Sequence, residues 1–395
     1  MKKTRLTWLV GTALVATSGW AIAQQHPAMP PAKVTFTNQS QAIPFELFRG
    51  NRVIIAAKIN GRTSEALLDT GASVTVLDKA YARSIGIPEG RKVTGRGAGG
   101  VVEAEVVTGV TLEVGGMRFD DMTVSVMDMA PVARAIGHPL NMVLGREFFN
   151  SAVVSIDWAG NRLQVSPPQH FTRKAGSTEI GLKRVGPFNT IPVSILGAEP
   201  IDALLDLGNG GALVLPRTYW GTRPELAHLP YAESRIGGVG GMHSARATTV
   251  PKLNLAGATF SAIPATLSDK GNDHDPTQMA NVGIGLLKQF HVDLDLGRDR
   301  IYLTPRSDAP AFERDRSGTR LELMGDRLKV VFVSPQGPAA AAGLKEGDGI
   351  VAIDGHPVTA DYYRSKDWAR GPAGTAVLLQ RADGSSLKVT LANYF

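Results

Sequence analysis

The chain has 395 residues, ordinary apolar content, few aromatics and no cysteine. It is long enough for two or three domains, and disulfide scaffolds, thiol nucleophiles and a lipid-modified cysteine are excluded. Lys and Arg number 42 against 36 Asp and Glu, but three of the basic residues fall in positions 1–23 with no acidic one; the rest balance at 39 to 36 without a dense basic run, which argues against a nucleic-acid partner.

In chain order, Lys2, Lys3 and Arg5 precede an uncharged, mostly apolar run over residues 6–20 and the small-x-small sequence Ala21-Ile22-Ala23. This has the form of a secretory signal, and the run is short for a membrane span, so cleavage after residue 23 is expected over a retained anchor. Residues 24–44 read as a linker or a short pro-segment. Over the whole chain, 44 glycines and 24 prolines are scattered among recurrent apolar stretches, the pattern of many short strands joined by turns rather than of low-complexity disorder.

The next elements form an internal repeat. Ala66-Leu67-Leu68-Asp69-Thr70-Gly71-Ala72-Ser73 returns as Ala203-Leu204-Leu205-Asp206-Leu207-Gly208-Asn209-Gly210. Apolar β-prone runs flank both copies, so each Asp falls in a glycine-containing turn between strands. A glycine cluster at Gly97, Gly99 and Gly100 follows Asp69, and one at Gly238, Gly240 and Gly241 follows Asp206 at nearly the same interval. Asn141-Met142-Val143-Leu144-Gly145 and Asn281-Val282-Gly283-Ile284-Gly285 come next, again at closely matched distances from their Asp when counted to the last Gly. A predicted hairpin closes each half, over residues 153–165 and 292–303.

Over about residues 45–310 these elements resemble the pepsin and retropepsin superfamily of aspartic proteases. The Asp-Thr-Gly-Ala turn, the apolar-apolar-Gly segments and the glycine clusters in the place of the flaps carry the resemblance. It implies two lobes in one chain, catalytic Asp69 and Asp206, and supporting turns made by Thr70, Gly71 and Ala72 and by Leu207, Gly208 and Asn209. It further implies an interlobe hydrogen bond from Thr70, and flaps tipped by Gly97, Gly99 and Gly100 and by Gly238, Gly240 and Gly241. Polypeptide substrates, no metal and no cofactor go with it. Leu207 stands where that family has Thr, and Asn209 where Ser, Thr or Ala is usual.

The chemistry favours such a pair. Two carboxyls face to face share one proton, because like charges a few ångströms apart do not both ionise readily. The ionised member takes a proton from water as general base while the protonated one polarises the scissile carbonyl. Other chemistries lack their residues. Neither glycine cluster is followed by Lys-Ser/Thr, no Ser sits in a Gly-x-Ser-x-Gly turn, and Asp273-His274-Asp275 reads as a solvated polar loop rather than a metal site. Two other readings stay open: a peptide-binding protein that has lost activity through Leu207, and a homodimer using Asp69 from each chain.

Residues 307–320, polar and charged, read as a linker. The remainder, 321–395, contains a strand-like run at 328–333, Ser334-Pro335-Gln336-Gly337-Pro338, four alanines, Gly343-Leu344, Gly347-Asp348-Gly349-Ile350 and Asp354-Gly355. It resembles a bacterial PDZ domain, with Gly343 suited to a helix C-cap and Asp354-Gly355 to a hairpin turn. The resemblance implies that an extended peptide adds as a strand to a sheet edge. That edge is expected at Leu328, Val330 and Phe332, with Gly325 in the carboxylate loop.

The expected molecule is therefore mainly β: two tandem retropepsin-like lobes (45–170 and 171–306) in a pepsin-like bilobal unit, then a PDZ-like α+β domain. A periplasmic monomer is expected, acting on polypeptides and binding a peptide or protein through the PDZ-like module, with no permanent membrane anchor after cleavage.

Overall fold

The computed structural model describes residues 32–37, 40–271 and 279–395. The signal-type segment 1–23 and the Asp273-His274-Asp275 stretch lie outside the described residues, as do 24–31. Among the described residues no helix is long and apolar enough to cross a membrane.

Each half is built around a strand that delivers its Asp. In the first, Arg52–Ile59 pairs antiparallel with Arg62–Leu68 through Asn60-Gly61, both at positive φ, the turn whose twist suits a two-residue hairpin. Met142–Leu144 then lies parallel to Arg62–Leu68 on its other side. In the second half, Phe188–Ile195 pairs with Ile201–Asp206, and Asn281–Gly283 lies parallel beside it. Both Asp-bearing strands are covered on two faces, which is why Ala66, Leu67, Leu68 and Ala203, Leu204, Leu205 are continuous apolar runs with every side chain buried.

The register corrects one sequence match. Leu144 pairs with Leu68 and Val282 with Leu205, so the counterpart of Gly145 is Gly283 and not Gly285. The packing agrees. A Cβ on Gly145 would lie 2.5 Å from the Val74 carbonyl, and one on Gly283 would lie 2.3 Å from the Gly211 carbonyl oxygen. Asn281 thus stands opposite Leu204 where Val143 stands opposite Leu67.

Long hairpins follow each Asp turn. Arg91–Gly97 pairs with Gly100–Val114, and Tyr231–Gly238 with Gly241–Leu255. The closing hairpins, Val153–Asp157 with Arg162–Ser166 and Phe290–Asp295 with Arg300–Pro305, do not stay in their own halves. They join edge to edge, Ser155 opposite Asp293, into a six-stranded sheet that ties the halves together. One apolar core runs through both halves and this sheet, from Phe45 and Trp158 to Phe290 and Leu303.

Residues 33–36 and 41–44 are integral to this body, contrary to a free linker. Lys33–Phe36 pairs with residues 117–120, and Gln41–Pro44 extends the six-stranded sheet beside Arg162–Ser166. The polar stretch 307–320 is likewise no free tether. Ser317 is fully buried, Glu313 accepts from Lys288 at 2.9 Å, and the first strand of the C-terminal module begins inside it at Thr319.

The module has its own core, with Leu328, Val330, Ile350, Ile353, Leu379 and Val389 almost wholly buried. Its strands run in the order Thr319–Met324, Arg327–Val333, Gly349–Ile353, Ala376–Arg381, Ser386–Thr390. The expected peptide edge is corrected here. Arg327–Val333 is paired along one side with Thr319–Met324, and on the other Leu328 and Lys329 pair with Gly349–Ile353 while Val330 bonds Gly347 and Asp348, so the strand is internal to the sheet; Leu328 and Val330 point into the core. Gly325, at φ +66, makes the tight turn between the first two strands rather than a carboxylate loop. Phe332 lies under the Arg235 guanidinium of the second half. The free edge belongs to Thr319–Met324.

The module grips both halves. Arg364 pairs with Glu46 and Glu65, Asp367 with Arg49 at 2.8 Å, and Tyr363 lies under the Arg49 guanidinium. On the other side Arg320 donates to the Arg235 carbonyl and to Ser234 Oγ, and Gln336 accepts from the Glu233 amide.

Candidate active site

The two Asp turns meet at the junction of the halves. Asp69 follows directly on Arg62–Leu68, its amide held by the Leu144 carbonyl at 3.1 Å; Asp206 ends its own strand. Gly71 donates its amide to Asp69 Oδ1 at 2.8 Å, and Asn209 donates its amide to Asp206 Oδ1 at 3.1 Å. The glycines let the turns interlock. A Cβ on Gly71 would lie 2.8 Å from Asp206 Oδ1, and one on Gly208 would lie 2.3 Å from the Asp69 carboxyl carbon. Each glycine therefore packs against the other half's carboxyl.

Thr70 locks the junction from one side only. Its hydroxyl donates to the Leu205 carbonyl at 2.7 Å and accepts the Leu207 amide at 3.0 Å. Leu207 offers no hydroxyl in return and is fully buried, so apolar packing replaces the second hydrogen-bond set. Ala72 packs toward the apolar cluster of the first half, and its carbonyl accepts the Arg146 amide.

Two further residues bear on the pair. Asn281 Nδ2 donates to Asp206 Oδ2 at 2.6 Å, and its own oxygen is held by Asn209 Nδ2 at 2.7 Å. Asn209 Oδ1 in turn accepts from the Gly211 amide at 2.9 Å. The Asn in place of the usual hydroxyl residue thus acts one step removed, by fixing the amide that touches Asp206. Arg52 fills the space beside Gly210, where a Cβ would lie 1.6 Å from its Nη1. That Nη1 donates to the Asn51 carbonyl, and in the amide orientation that satisfies both groups the Asn51 side chain accepts from Arg370. The signal for Asn281 was a polar residue in a strand position that is apolar in the first half. For Arg52 no local signal existed.

The electrostatics follow from this crowding. Burial pushes the Asp69 carboxyl well above the usual carboxylate range, and the neighbouring Asp206, through its charge and a shared hydrogen bond, pushes it further. The Gly71 amide and Arg52 pull the other way without reversing it. Arg52 itself is lowered to about 10, by burial first and then by Arg370, against the attraction of Asp206 and Asp69.

The two long hairpins touch tip to tip. The Gly99 amide donates to the Val239 carbonyl at 2.9 Å, and Lys270 Nζ donates to the Gly99 carbonyl at 3.0 Å. Glycine is required by contact. A Cβ on Gly99 would lie 2.1 Å from the Gly241 carbonyl oxygen, one on Gly97 2.5 Å from the Val239 oxygen, and one on Gly240 2.5 Å from Gly100. Gly97 and Gly238 pair across their turns with Gly100 and Gly241.

Residues 55–148, which hold Asp69, the first hairpin and Gly145, match the aspartyl protease family. Residues 330–382 match the PDZ domain family. The chain combines an aspartyl protease-like domain with a C-terminal PDZ domain. The second lobe lies outside the first match and repeats its topology. No curated protein matches the chain. Among the described residues no cluster of His, Asp and Glu is arranged to hold a metal ion.

Proposed function

We propose that the protein is an aspartic endopeptidase in which Asp69 and Asp206 share one proton and activate water against a peptide bond. The observation that carries this is the interlocked pair of turns, each glycine against the opposite carboxyl, with Asp69 held protonated well above the usual range. At a working pH where the pair holds a single proton, its ionised half takes a proton from water. Its protonated half hydrogen-bonds the scissile carbonyl and then supplies the leaving nitrogen. The steps belong to the dyad rather than to either residue alone. Asn281 and the amides of Gly71 and Asn209 orient the carboxyls, and the Thr70 bridge keeps the turns in register. An extended polypeptide enters when the tips part at Gly99 and Val239, and their closure over it excludes bulk water. The PDZ domain recruits a peptide or protein. We assign the mature chain to the periplasm on the basic, apolar and small-residue order of positions 1–23.

The test is cleavage of a diverse peptide library by the chain purified from residue 24 onward, between about pH 4 and 7.5. Asp69→Asn and Asp206→Asn should each lower the rate by about 10²- to 10⁴-fold. Activity untouched by Asp206→Asn would sink the two-lobed mechanism, and peptide binding without any cleavage would favour an inactive binding protein.

A further inference from the structure

The Thr319–Met324 edge is free of strand partners, yet it is not bare. The helix Ala130–Ile136 of the first lobe packs against it, and Arg134 comes within 3.9 Å of Glu322. At the helix C-cap, Gly137 lies so close to Tyr363 that a Cβ there would stand 2.0 Å from the ring. The helix therefore sits along the PDZ edge strand, with its end against the PDZ helix Ala360–Ser365. Among the described residues no backbone hydrogen bond joins it to that edge. It covers the ladder groups without pairing them, whereas an added strand would pair them. A cavity of about 720 Å³ adjoins this contact, with Arg134 on one side and Met324, Gly325, Arg327, Lys329 and Gly349 of the PDZ sheet on the other.

The loop leading into the edge strand has its amides already engaged. The Ser317 and Gly318 amides donate to the Asp315 carboxylate at 3.1 and 2.9 Å, and the Thr319 amide donates to Ser317 Oγ. Tyr394 holds the Asp315 carboxylate from behind at 2.6 Å. The donors that would receive a chain-terminal carboxylate are thus taken by an internal one.

The same helix also packs against the surroundings of Asp69. Val132, Ala133 and Ile136 pack in one apolar cluster with Ala72 of the Asp69 turn, Val102 of the first hairpin and Val239 of the opposite tip. Taking the free edge Thr319–Met324 as the place where a PDZ domain adds a peptide, we propose that this edge takes an internal extended segment rather than a chain terminus, and that such a segment displaces helix Ala130–Ile136, an element that also packs against the Asp69 turn and the hairpin tips. This rests on reading the PDZ domain as a peptide-recruiting module and is independent of whether the carboxylate pair is active.

The test uses the full chain carrying Asp69→Asn, so that probes survive; cleavage by the chain with Asp69 intact is measured separately. Random peptides ending in a free carboxylate, and the same peptides embedded between flanking sequences, are displayed and panned against this chain with Arg134→Glu added. Embedded peptides should enrich, and should bind the Arg134→Glu chain about two- to fivefold tighter than the parent, the scale of one surface ion pair. Adding Glu322→Arg should restore the parent value. Arg134→Cys with Glu322→Cys, joined by a reducible bis-maleimide in a chain that has no other cysteine, should weaken binding by tenfold or more until the linker is reduced. Enrichment of free-carboxylate peptides alone would overturn the internal-segment reading. Equal binding with the linker closed and open would overturn the shared edge, and enrichment from neither library would overturn the docking site itself.

Discussion

At the scale of single residues, the site is two carboxyls whose surroundings were made unequal. Asn281→Ala removes the side-chain donor on Asp206 while leaving the Asn209 amide in place. A hydrogen bond to a charged group is worth about 1.5–3 kcal/mol, so kcat should fall about 10- to 100-fold with KM little changed, read from steady-state kinetics. Arg52 opposes protonation of Asp69; without it the carboxyl rises further. Arg52→Met should therefore move the kcat/KM profile bodily to higher pH, and an unmoved profile would show that Arg52 does not act on the pair. Stability follows the same group with a defined sign. The folded chain keeps a proton on Asp69 that the unfolded chain releases above an ordinary carboxylate value of 3.8. The stability this gives is full below that pH and is lost as pH rises through the raised value. Asp69→Asn should thus melt higher than the parent at pH 7, with the gap closing toward pH 3, as calorimetry across that range would show.

At the scale of elements, the hairpin tips show how contact selects glycine. Gly99→Ala places a methyl 2.1 Å from the Gly241 carbonyl oxygen, whereas at Gly95 the nearest atom is 3.8 Å away. Gly99→Ala should force the tips apart and lower kcat/KM about tenfold, with Gly95→Ala close to the parent; equal effects of the two would mean that tip contact is not used. The elements most legible in the sequence were those with local chemistry. The two Asp turns, the glycine tips and the closing hairpins are written in neighbouring residues, and the structure has all of them. Register was not legible. The choice between Gly283 and Gly285 is invisible to apolar pattern alone, because Val282 and Ile284 satisfy it equally. It hid the one substitution, Asn281 for the Val143 position, that marks a partner of Asp206.

At the scale of the whole molecule, the PDZ domain is packed against both halves rather than hung from them. Arg364 bridges Glu46 and Glu65, and Arg370 reaches the Arg49 carbonyl beside the strand that carries Arg52. Arg364→Ala leaves Glu46 without this partner and Glu65 with only His138, at 3.0 Å. It should split a single calorimetric transition into two, with the PDZ domain melting first, and the split should narrow in high salt as exposed charges are screened. A single unchanged transition would mean that the apolar contacts of Tyr363 suffice.

The sequence by itself determined the repeat, the paired Asp turns, the β-rich architecture and the presence of two domain types, because turn geometry and strand alternation are set by residues a few positions apart. Tertiary structure alone decided the rest. It joined the closing hairpins into one sheet, set Arg52 beside Gly210, and left Thr319–Met324 rather than 328–333 at the PDZ edge. These depend on which strand edges find one another across long stretches of chain, and an apolar strand carries the same pattern whether it ends up central or at the rim. The secure feature of the sequence, Asp69 in its glycine turn, thus acquires its raised proton affinity only when the Asp206 turn, from the other half of the repeat, is packed against it.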